Sequence, residues 1–155
     1  MRNVWFAPVM ILSLLIGGCG GPAAPAAPTQ PGAVTRPAQI DTAAEQMTAG
    51  GLYRIRYAAD EEPVTISKLH TWTVHVETAD GAAVDGAEVS VDGGMPEHNH
   101  GLPTKTLVTP LGGGDYRVEG LKFQMPGWWT VTVTVTAAGA EGAGQDSATF
   151  NLLLD

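Results

Sequence analysis

From residue 51 onward, apolar and polar positions alternate with a period of two, the signature of strands with one buried and one solvated face. Tyr53, Ile55 and Tyr57 alternate with Arg54 and Arg56, and Trp72, Val74 and Val76 with Thr71, Thr73, His75 and Glu77. Val89 and Val91 follow between Glu88, Ser90 and Asp92, then Leu121, Phe123 and Met125 between Lys122 and Gln124. Trp129, Val131, Val133 and Val135 are separated by threonines, and Phe150, Leu152 and Leu154 end the chain. Asp80-Gly81, Asp85-Gly86, Gly93-Gly94, Gly112-Gly113-Gly114 and Pro126-Gly127 supply turns between these runs. With weaker strands near Thr104–Thr109 and Tyr116–Val118, the count reaches about seven, which predicts an all-β, immunoglobulin-like antiparallel β-sandwich. Gly114-Asp115-Tyr116 has the form of a tyrosine corner, in which a hydroxyl pins the crossover between sheets.

The N-terminal third has a different pattern. Residues 1–18 carry a basic start at Arg2 and an apolar run from Val4 to Ile16, too short to cross a bilayer, which reads as a secretory signal. Leu15-Ile16-Gly17-Gly18-Cys19 resembles a bacterial lipobox, and that resemblance implies cleavage before Cys19 and lipid attachment to it. Acyl chains would then hold the protein at a membrane of the cell envelope, on its periplasmic or extracytoplasmic face. Residues 19–48 contain Pro22, Pro25, Pro28, Pro31 and Pro37 among alanines and glycines, the composition of a disordered tether. Thr42–Met47 has the spacing of a single capped helical turn. Residues 49–155 are then the folded domain.

Charge and cysteine content narrow the function. Sixteen acidic residues against eight basic ones give a formal charge of −8, so nucleic acid is not an expected partner. The lone cysteine excludes an intrachain disulfide and paired-cysteine metal motifs. Ser67, Ser90 and Ser147 lie outside any G-x-S-x-G elbow, and no HExxH or phosphate-cradling motif occurs. The carboxylates Asp60, Glu61 and Glu62 read as a solvated loop. These features predict a binding module and not an enzyme.

One loop concentrates candidate chemistry: Met95-Pro96-Glu97-His98-Asn99-His100-Gly101. Imidazole and thioether together suit copper, and thioether favours Cu(I), whereas hard cations want oxygen. His70 has inward parity at the start of its strand, and Met125 has inward parity at the end of another. His98, His100, Met95, His70 and Met125 could therefore converge on a copper ion at one pole of the sandwich. His75 has outward parity and should face water. Trp129 should fill the core, while Trp128 points the other way and is a candidate partner contact. The alternative reading is a metal-free interaction or assembly module, with the loop and Trp128 touching an envelope protein.

The stretch Asp80–Val89, the Met95–Gly101 loop, Gly114-Asp115-Tyr116 and Phe123-Gln124-Met125-Pro126-Gly127-Trp128 together resemble the YtkA-like/FixH-like domains of exported bacterial proteins, over about His70 to Val135. The resemblance implies an immunoglobulin-like sandwich in the envelope, associated with copper handling or with supply to, or assembly of, a redox enzyme. An envelope redox enzyme or a metal carrier is the expected partner.

Overall fold

The computed structural model describes residues 34–139 and 144–155. The signal segment, Cys19 and the first half of the tether therefore lie outside the described residues. The rest is an all-β sandwich of nine strands: β1 Glu45–Met47, β2 Tyr53–Ala59, β3 Leu69–Thr78, β4 Glu88–Met95, β5 His100–Gly101, β6 Leu107–Gly112, β7 Asp115–Lys122, β8 Gly127–Ala137 and β9 Gly144–Leu154. One sheet has the order β1-β2-β3-β7-β6 and the other β5-β4-β8-β9, with every neighbouring pair antiparallel.

The alternation read from the sequence is the alternation of burial. Trp72, Val74 and Val76 on β3 and Val131, Val133 and Val135 on β8 are fully buried between the sheets. Each such side chain stabilises the fold by roughly 1.5–3 kcal/mol through removal from water. The intervening threonines of β8 lie on the outer face, where Thr132 and Thr149 share a hydroxyl hydrogen bond of 2.9 Å.

The tyrosine corner is present. Tyr116 Oη donates to the Val84 carbonyl at 2.7 Å and accepts from Ala87 N–H at 3.1 Å, fixing the connection from β3 to β4 as it changes sheet. Burial pushes the Tyr116 phenol above its ordinary pKa.

Three local expectations are corrected. Thr42–Met47 does not form a helical turn: Glu45–Met47 pairs with Arg54–Arg56 as an edge strand, inside the segment read as tether. The short run at Tyr116–Val118 and the first two residues of the next run, Leu121 and Lys122, are one strand, β7, interrupted by a bulge. There Glu119 pairs with Thr71 and Leu121 with His70, leaving Gly120 as the extra residue. Gly120 has φ +89°, and a Cβ there would sit 2.6 Å from the Lys105 carbonyl, so the bulge requires glycine. β7 ends at Lys122, and Met125 falls in the connection to β8.

The N-terminal edge is fastened across the sandwich by Asp146 of β9. Its carboxylate accepts from Gly50 N–H at 2.9 and 3.0 Å, from Leu52 N–H at 3.2 Å and from Ser147 N–H at 2.9 Å. Desolvation would raise its pKa, but these hydrogen bonds, with one from the Thr48 hydroxyl, together lower it to about 2.

Candidate metal site at the His98–His100 hairpin

The end of β4, the start of β8, the end of β7 and the start of β3 share one pole of the sandwich. At that pole β4 turns back into the two-residue β5. The turn is closed by His98 N–H donating to the Met95 carbonyl at 3.1 Å, with Pro96 supplying the fixed φ that the second turn position favours. Asn99 follows with φ +52°, a left-handed conformation that asparagine tolerates better than most residues. The chain thereby doubles back within a residue, and the His98 and His100 rings lie 5.9 Å apart, tilted by 31°. Two imidazoles bound to one metal at about 2.0–2.1 Å per nitrogen have ring centres about 5–6 Å apart.

His100 is the register partner of Met95 across the β4–β5 ladder, so their side chains stand on the same face. Both line a shallow hollow of about 270 Å³ together with Pro96, Asn99 and Thr130. Met95 is 1 % exposed, and its methyl reaches Gly127, where an added Cβ would meet it at 2.7 Å. His100 also packs edge-on against the fully buried Trp129, with ring centres 5.6 Å apart. Its Nδ1 faces the Gly101 carbonyl at 3.2 Å, and the Gln124 side-chain amide lies 3.3 Å from the same nitrogen. The carbonyl only accepts and the amide nitrogen only donates, so the two contacts favour opposite tautomers of the ring, and together they hold its orientation. His98 is exposed.

Among the described residues, no group of three or more His, Cys, Asp or Glu side chains is placed to hold a metal ion. The structure brings Met95, His98 and His100 into one hairpin and leaves the other candidates apart. His70 is 3 % exposed. Its Nε2–H donates to the Thr65 carbonyl at 2.7 Å, and its ring packs on Phe123 with centres 5.9 Å apart. Phe123 in turn meets Trp129 at 5.3 Å, so two aromatic rings stand between His70 and His100. Inward parity therefore made His70 a core-edge residue and not a neighbour of the loop. Met125 is half-buried against the core, and its carbonyl accepts from Trp129 Nε1–H at 3.0 Å, so Met125 and His100 are both in contact with Trp129.

Trp128 is outward by parity but only 6 % exposed, and its Nε1–H donates to Asn151 Oδ1 at 2.9 Å. The Asn151 amide donates onward to the Asp41 carbonyl at 2.9 Å. A covered indole with its N–H already bonded offers little to a partner, which corrects its reading as a contact residue. His75 does not face open water either. Its Nδ1 lies 2.6 Å from Asp115 and its Nε2 3.0 Å from Glu77, so both ring nitrogens are engaged.

The residues that sequence reasoning missed at this site are Gln124 and Trp129 as neighbours of His100. Both are close in space through the β7–β8 connection. The only sequence signal was their position beside Met125 and the double tryptophan.

The sequence model of the YtkA-like family matches residues 51–134, over half of the chain. The chain belongs to the YtkA-like family. The matched span includes the whole hairpin and stops short of β9. No curated protein matches the chain. Among solved structures, a DUF4426 family protein from Pseudomonas aeruginosa PAO1 is similar at 15% identity, with a TM-score of 0.49, over 71% of this chain and 94% of that one. The ZirS C-terminal domain is similar at 12% identity, with a TM-score of 0.35, over 92% of each chain.

Proposed function

We propose that this YtkA-like chain is a non-catalytic envelope lipoprotein that binds one copper ion at the His98–His100 hairpin. The ion would be held for metal handling or for supply to a redox enzyme. Cys19 would carry the lipid anchor, and the domain would work on the periplasmic or extracytoplasmic side of the membrane. The observation that carries the reading is the 5.9 Å spacing of two imidazoles on a turn closed by its own backbone hydrogen bond. A rigid turn of this kind loses little conformational entropy when a ligand fixes the two rings. Imidazole with a neighbouring thioether is a donor set suited to copper.

The test is a copper titration of the full chain beside His98→Ala, His100→Ala and the double variant. One equivalent of copper is expected for the parent, with stoichiometric binding lost in the double variant. Equal affinity in the parent and the double variant would remove the proposal.

A further inference from the structure

We infer that the hairpin is selective for monovalent copper over divalent copper and zinc. This rests on the copper-binding reading above and adds the oxidation state of the ion. Zinc in a protein takes four ligands in a tetrahedron, and Cu(II) prefers a tetragonal array of nitrogen and oxygen donors. Among the described residues, the hairpin offers two imidazoles, and no third His, Cys, Asp or Glu converges with them. A divalent ion would have to complete its coordination with water.

A softer donor stands beside His100. Its ring meets the fully buried indole of Trp129 on one side, and across the ladder stands Met95, which carries a thioether. Met95 is the register partner of His100 and lines the same hollow, so its sulfur is the third donor the fold places beside the imidazoles. Thioether is a soft ligand that selects Cu(I). Two imidazole nitrogens and one thioether sulfur therefore match a low-coordinate monovalent ion.

The same fold explains why Met95 stays in place without metal. Its methyl end is packed against Gly127, the residue that opens β8. Met95 therefore belongs to the core and, in this proposal, also serves as donor.

The experiment is a set of competition titrations on the full chain: Cu(I) under anaerobic conditions against a chromogenic chelator, and Cu(II) and Zn(II) against chelators of known affinity. Cu(I) is expected to bind about a thousandfold or more tightly than zinc, in line with soft-donor preference. Met95→Leu, which keeps the core volume, is expected to weaken Cu(I) about tenfold or more and to leave Cu(II) unchanged. X-ray absorption of the Cu(I) protein is expected to show a sulfur scatterer that the variant lacks. Zinc or Cu(II) binding as tightly as Cu(I), or a copper shell of nitrogen and oxygen alone, would overturn the inference while leaving copper binding intact. Failure to bind any of the three ions would remove the copper-binding reading itself.

Discussion

His70 and His100 show how one side-chain type acquires two roles from its surroundings. Both have inward parity, but His70 meets a carbonyl inside the core, whereas His100 opens to a hollow at the rim. His70→Ala is thus expected to lower the thermal midpoint and leave the copper titration unchanged, measured by melting and titration of the same preparation. At His100 the contacts to Nδ1 hold the ring's orientation. Gln124→Leu removes one of them, and copper affinity is expected to fall about tenfold with an unchanged midpoint, the usual scale for residues that orient a metal-binding imidazole. Tyr116→Phe deletes a hydroxyl bonded on both sides. It is expected to destabilise the domain by roughly 1–3 kcal/mol in urea unfolding.

At the scale of elements, strand positions were legible wherever the period of two ran unbroken. Trp72–Val76, Val89–Val91 and Trp129–Val135 all point as their alternation says. The failures fall where the period is interrupted or too short to see. Gly120 inserts a residue into β7, so one strand looked like two and Met125 was placed on its end. β1 has three residues and β5 two, too few to show any period. Beyond the tyrosine corner, partnership across the fold was not legible. Nothing local to Trp128 announces Asn151, and nothing local to His70 announces the Thr65 carbonyl.

Asp146, which fastens the β1–β2 turn to β9, gives this scale its pH dependence. Its folded pKa, about 2, is below the unfolded carboxylate value of about 3.9. The stability it contributes is therefore present above about pH 4 and is lost as pH falls through about 2. Asp146→Asn is expected to flatten the unfolding free energy between those limits, measured by urea titration from pH 2 to 5. An equally steep dependence in the variant would place the acid sensitivity elsewhere.

For the whole molecule, the sandwich acts as a rigid support that holds one hairpin at a pole while its four histidines are divided between two jobs. His70 and His75 are occupied within the fold, and His98 and His100 are presented at its end. The loop composition made this pair visible in the sequence. The wider convergence with His70 was not supported, because Phe123 and Trp129 fill the space between them. The most direct measurement is nitrogen-15 NMR of the histidine side chains during copper addition to the full chain under reducing conditions. The ring nitrogens of His98 and His100 should shift together and saturate at one equivalent, with those of His70 and His75 unmoved. Movement of His70 in concert with the hairpin, or no movement of the hairpin pair, would contradict the placement of the site.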